Sequence, residues 1–282
     1  MKKPLYLLSF VLVFAAACQQ QTVPVQVSAT AVTVPAAPKA AALPTPAPAT
    51  VATAVPTPEM LAFLRQYAVG KLLVRDDGPL NGFIGPEHYR TELVLTAVVP
   101  DSSQSNLYRV SGKSRYKNVM TPLSGSITLT QLFDQANVAG LDKNKHQEPE
   151  NTYSAVGTFE LVEDSTVRGA GRYAGTVVID FLVGADQQLE IYNKGRHTAS
   201  RDGGITLDGT WTSLATKRQK PVVWVYYIWS YGESVLKNFN VGERGPEVNP
   251  KYAKLGWGEF WENDEWWHEA EIVTAEAASD SL

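Results

Sequence analysis

Cysteine is almost absent from this chain: Cys18 is the only one in 282 residues. No disulfide can form within the chain, so the folded part must be held by its core alone. Histidine is sparse as well. His88, His146, His197 and His268 are scattered, with no H-x-H or H-x-x-x-H spacing, so no local motif announces a metal and none is assigned. No G-x-S-x-G occurs, which leaves serines near glycine, such as Ser124 and Ser126, without a nucleophile elbow. No apolar run reaches the length of a bilayer-spanning helix. Charge is also unremarkable, at −4 with acids and bases dispersed, so neither nucleic acid nor an anionic surface is implied as a partner.

What is present begins at the first residues. Lys2 and Lys3 precede an apolar run from Leu5 to Phe14, then Ala15-Ala16-Ala17 leads into Cys18. This is the charged, apolar, small-residue order of a secretory signal, expected to occupy residues 1–17. Ala15-Ala16-Ala17-Cys18 resembles the lipobox of bacterial lipoproteins. The resemblance implies that Cys18 becomes the first mature residue and carries diacylglyceryl as a thioether, removing a thiol otherwise exposed to an oxidising compartment. It also implies a cell-envelope location with the membrane as a partner through the lipid. Gln19 after the Cys, in place of Asp, favours the outer membrane by the same resemblance.

From Gln19 to about Pro58 the chain is Ala, Pro, Thr and Val, with Lys39 as its one charge. It has no apolar period and its prolines break both helix and sheet ladders, so residues 18–56 are expected to be a tether. Residues 57–273 then form a single β-rich domain, and 274–282 a frayed tail.

Thr57-Pro58-Glu59 is a helix-start signature, with Met60, Leu61, Leu64 and Ala68 following at helical spacing. Most of the rest alternates with period two. Leu93, Leu95, Ala97 and Val99 share a face, as do Tyr173, Val177, Ile179, Phe181 and Val183, and Ile205, Leu207 and Trp211. Tyr108 and Val110 oppose a basic row of Arg109, Lys113, Arg115 and Lys117, which could attract an anion but is expected on a solvent face, where it discourages edge pairing. Gly169-Ala170-Gly171 reads as a turn entering a strand, because its glycine spacing does not suit a phosphate loop. Short strands joined by Gly-, Asp- and Asn-rich turns predict a mainly β fold: an antiparallel meander closing into a β-barrel. The run Val222–Tyr231 is apolar on both faces, so it is either covered on both sides or turned toward a partner. Trp257, Phe260, Trp261, Trp267 and His268 fall on one arc of a helical wheel, which predicts a Trp-rich helix from about 258 to 269. Trp266 lies on the opposite side of that wheel. A barrel with a packed helix resembles the lipocalin-like small ligand-binding barrels in architecture.

Candidate chemistry is thin. Asp264 and His268 are one helical turn apart, and Asp142, His146, Glu148 and Glu150 share a polar loop. Glu160, Glu163, Asp180 and Asp208 are carboxylates of the type glycosidases pair, with no spacing that selects two of them. Aromatics are denser toward the C-terminal end, where Trp224, Tyr226, Trp229, Trp257 and Trp261 are the candidate ligand-binding residues. The expected function is a non-enzymatic binding or structural module of the envelope, without cofactor, taking an apolar or carbohydrate ligand or an envelope protein. The alternative is an envelope-associated hydrolase acting on a polymer or glycan through paired carboxylates.

Overall fold

A computed structural model describes residues 55–75, 77–135, 151–193, 199–242, 247–262 and 265–268. Cys18, most of the tether, the loop of Asp142 to Glu150, His197, Asp264 and the tail lie outside these residues. The fold is mainly β, with nine antiparallel strands in one sheet. They are β1 Leu80–Ile84, β2 Tyr89–Pro100, β3 Leu107–Tyr116, β4 Val119–Asp134, β5 Thr152–Glu163, β6 Gly171–Val183, β7 Leu189–Ile191, β8 Ile205–Ser213 and β9 Gln219–Val225. The order is β5-β4-β3-β2-β1-β9-β8-β6-β7, and β5 also pairs with β6. The ladder therefore returns on itself through every strand but β7, which hangs on the end of β6. A ring of this kind leaves its members no free edge.

One long-range seam makes the closure, with Gly82 of β1 opposite Trp224 of β9, while the sequential pairing of β5 with β6 sets Gly157 opposite Val177. Tight curvature requires glycine where strands bend closest. A Cβ on Gly112 would run into the carbonyl oxygen of Val94, and the facing pair Gly175 and Gly209 has the same constraint.

Inward phases of the strands fill the ring with Leu93, Ile127, Leu129, Phe159, Leu161, Val177, Leu207 and Trp224, all buried. One end is closed by α1, Pro58–Gln66, and a 3-10 turn, Val69–Leu73. The hydroxyl of Thr57 accepts from Met60 N at 3.2 Å, the cap that the sequence predicts, and Met60, Leu64, Val69 and Leu73 seat in the core. The short connections β1–β2, β3–β4, β5–β6 and β8–β9 all fall at the other end. The tightest is Lys117-Asn118, both at positive φ (51° and 60°), as a two-residue hairpin requires.

The C-terminal aromatic stretch departs from its expected form. Residues 256–261 and 266–268 run as turns, so no helix occupies the described part of 258–269. Gly256 adopts a left-handed conformation (φ 85°) that ends the 3-10 turn Pro250–Leu255, and the aromatic residues then bury at separate places. Trp257 packs among Phe83, Phe239 and Val225 on the outer face of β1 and β9, together with Ile228 and Tyr231 of α2, Ile228–Val235. Trp266 and Trp267 sit on Val94 of β2. The run Val222–Tyr231 accordingly splits. Its strand has Val222 and Trp224 inside the ring and Val225 beneath this outer strap, and its remainder turns into α2.

The strap also covers charge. Glu92, buried on the outer face, accepts Arg90 Nη2 at 2.8 Å and Arg115 Nε at 2.5 Å. The Arg115 guanidinium lies 5.0 Å from the Trp266 ring, and Lys113 Nζ donates to Trp267 O at 2.7 Å. The basic row is therefore no uniform solvent face: Lys113 and Arg115 are half-buried and engaged with the strap. The helical wheel also misplaces two tryptophans. Trp266 is 2% exposed and Trp261 62%. Chemical denaturation should find Trp266→Ala destabilising by about 3 kcal/mol and Trp261→Ala within about 0.5 kcal/mol of wild type. The reverse ranking would contradict the strap.

Candidate functional site

Period-two alternation carries Ala155, Phe159 and Leu161 of β5 into the ring, and it carries the last residue of that strand, Glu163, in with them. A carboxylate in that position needs replacements for its lost water. Glu163 Oε1 accepts Ser114 Oγ at 2.6 Å and Tyr173 OH at 2.7 Å. Its Oε2 accepts Gly171 N at 2.7 Å and Trp211 Nε1 at 3.3 Å. The donors come from β3, β6 and β8, so one side chain ties three other strands together at the open end. Burial, with the neighbouring Glu163 charge second, pushes the Tyr173 hydroxyl well above the ordinary phenol range.

Around this carboxylate lies a cavity of about 300 Å³, walled by Ile84, Val119, Tyr116, Tyr173 and Trp211. Lys117, Arg168 and Lys220 stand at its edge. Lys220 is in phase with Val222 and Trp224, so its side chain comes from the inward face of β9. Its ammonium lies 5.1 Å from the Tyr116 ring and 5.6 Å from the Trp211 ring. Lys117 is held similarly, 5.0 Å from Tyr89 and 5.4 Å from Tyr116. Among the described residues no carboxylate lies within ion-pair distance of these three cations. A larger concavity, about 600 Å³, lies beside α1 and the β2–β3 connection. It has no buried charge at its centre.

The arrangement suits binding better than proton transfer. Both oxygens of Glu163 are occupied by donors, so it has no lone pair free to take a substrate proton. The other carboxylates considered from sequence face elsewhere. Glu160 is exposed and pairs with Arg172 at 2.7 Å, and Asp208 is exposed beside Arg201 at 3.5 Å. Asp180 is buried on the outer side of β6, where it accepts from Ser154 Oγ and from Ser200 N at 2.9 Å. Burial pushes its carboxyl above the ordinary range against those hydrogen bonds. No two of the four line one of these cavities. Among the described residues no three His, Cys, Asp or Glu side chains gather as a metal site.

The five aromatic candidates fall in separate places. Trp224 is fully buried in the ring, 4.7 Å from Tyr173. Trp257 is buried under the strap. Tyr226 is half-buried with the Arg75 guanidinium 3.6 Å above it, near the plugged end. Trp229 and Trp261 stack on each other at 5.4 Å on the strap surface. None of them lines the cavity beside Glu163. Of its walls and edge, Lys117 belongs to the basic row weighed from sequence as a possible anion site, whereas Tyr116, Trp211, Arg168 and Lys220 are not singled out as a site by the sequence. The available signal was a charged residue in inward phase, which Glu163 and Lys220 both show.

Compared with known protein families, with curated proteins and with solved structures, the chain matches none. Glu163→Ala should cost about 3 kcal/mol or more, because four donors lose their acceptor, and Glu163→Gln about half of that. Glu160→Gln, on the exposed outer face, should stay within about 0.5 kcal/mol. Urea midpoints of the three variants measure this; equal effects at positions 163 and 160 would contradict the role given to Glu163.

Proposed function

We propose that this chain is a cell-envelope lipoprotein whose closed ring is a lipocalin-like barrel and whose function is to bind a small molecule without transforming it. The address rests on Lys2, Lys3, the apolar run and Ala15-Ala16-Ala17-Cys18, with lipid on Cys18 and the outer membrane as its location. Two acyl chains suffice for stable anchoring, and residues 18–56 give the domain reach above the lipid surface.

The observation that carries the binding reading is the open-end cavity. Its aromatic and aliphatic walls offer apolar contact, its cations have no carboxylate partner among the described residues, and its one carboxylate is already bound by four donors. Small-molecule sites combine these features: apolar walls with a few fixed polar groups. Hydrolysis of a glycan would need two carboxylates about 5–9.5 Å apart facing one cleft. The dispersal of Glu160, Glu163, Asp180 and Asp208 favours the binding reading over that alternative.

One set of preparations tests both halves. Wild-type protein should partition with membranes and carry acyl mass on Cys18, while Cys18→Ser should be released or left uncut. Purified wild-type protein, incubated with a small-molecule extract of the envelope, should retain a compound and release it chemically unchanged on denaturation. Trp211→Ala should retain much less. Conversion of the compound would favour the hydrolase, and retention of nothing would favour a purely structural module.

A further inference from the structure

We infer that the open end of the ring binds a small organic carboxylate, its anionic group held by Lys117, Arg168 and Lys220 and its compact apolar body set against Tyr116 and Trp211. The inference rests on the binding reading above and adds the sign of the ligand's charge and its size.

The charge follows from the imbalance at the edge. Three cations face the cavity and one carboxylate lies at its side. The charge of Glu163 is already answered by two O–H and two N–H donors, so it places little demand on the lysines. Neither lysine ammonium has a carboxylate partner among the described residues, and each is held over two aromatic rings at 5.0–5.6 Å. Lys220 Nζ also donates one hydrogen bond to Tyr116 OH at 3.4 Å; contacts of these kinds fix a cation's position while leaving further N–H donors available. Arg168 adds a planar fork that matches a carboxylate. A cationic ligand would meet repulsion from three sides, and a neutral one would leave the edge charges unused.

The size follows from what lies below. The cavity, about 300 Å³, is at the small end of the usual range for ligand sites. Beneath it the ring is filled by Leu123, Leu161, Tyr173 and Trp224, each buried to 4% exposure or less. A long acyl chain has no channel to enter there, whereas a single ring with a short acidic arm needs none.

The test uses the full chain in phosphatidylcholine nanodiscs, with empty discs subtracted, and calorimetric titration of three probes. These are 3-phenylpropionate, its neutral counterpart 3-phenylpropan-1-ol, and dodecanoate. The expected result is binding of 3-phenylpropionate at about 0.01–1 mM, at least about tenfold tighter than the alcohol and tighter than dodecanoate. Arg168→Gln, on an exposed loop, and Lys220→Gln should each weaken the acid about fivefold or more. Arg172→Gln, on the outer face, should leave it unchanged. Equal affinity for acid and alcohol, both lost in Trp211→Ala, would overturn the charge assignment and leave the binding reading standing. Tighter binding of dodecanoate would overturn the size. No binding of any probe up to about 5 mM would overturn both the inference and the reading beneath it.

Discussion

A carboxylate withdrawn from water persists only where donors replace its hydration, and Glu163 meets that condition by drawing on three other strands. Ser114 of β3, Gly171 and Tyr173 of β6 and Trp211 of β8 all converge on its two oxygens. The consequences spread from there. The Trp211 indole is fixed as a wall, the start of β6 is pinned where the β5–β6 connection ends, and Tyr173 is held beside Trp224. With the carboxylate satisfied internally, Lys117, Arg168 and Lys220 are left at the edge of a cavity without an ion-pair partner among the described residues. The same interaction that stabilises the open end also sets its electrostatic character.

The two ends of the ring differ because different material was available to cover them. Residues 58–73 put apolar side chains into one end, where Met60, Leu64 and Leu73 join the core. Short hairpins bound the other end and cannot reach across it, so the charged Glu163 and Lys220 enter the inward rows there, beside Ile84 and Val119. The outer surface is also asymmetric. α2 and the aromatic strap cover β1, β9 and part of β2, and they bury the Arg90–Glu92–Arg115 group as they do so. Such a buried group is weak evidence of net stability. It does hold Arg115 beneath Trp266 and fixes where the strap crosses.

Much of the secondary structure was legible and much of the site was not. The Thr57-Pro58-Glu59 start, the alternation along β2, β6 and β8, and the turn at Gly169 rest on local chemistry, and local chemistry is what a sequence displays. Closure of the ring pairs Gly82 with Trp224, a contact across most of the domain that no local pattern announces. The stretch around Trp257 and Trp261 has helical spacing, yet glycines at 256 and 258 weaken any helix, and distinct patches on β1 and β2 drew its aromatics apart. Density of aromatics pointed to Trp224, Tyr226, Trp229, Trp257 and Trp261. The cavity is instead walled by Tyr116 and Trp211, single aromatics at strand ends. The legible sign of the site is phase rather than density: Glu163 continues the inward row of Phe159 and Leu161, and Lys220 begins that of Val222 and Trp224.

The most direct test of this account is backbone and indole amide exchange measured by NMR on the intact chain, compared with Glu163→Ala. The account predicts that the Gly171 amide and the Trp211 indole N–H are slow to exchange in wild type. Both should become fast in the variant, while Val177 and Leu207 in the ring's interior stay protected. Fast exchange of Gly171 and Trp211 in the wild-type protein, or protection unchanged by the substitution, would contradict the claim that Glu163 holds the open end together.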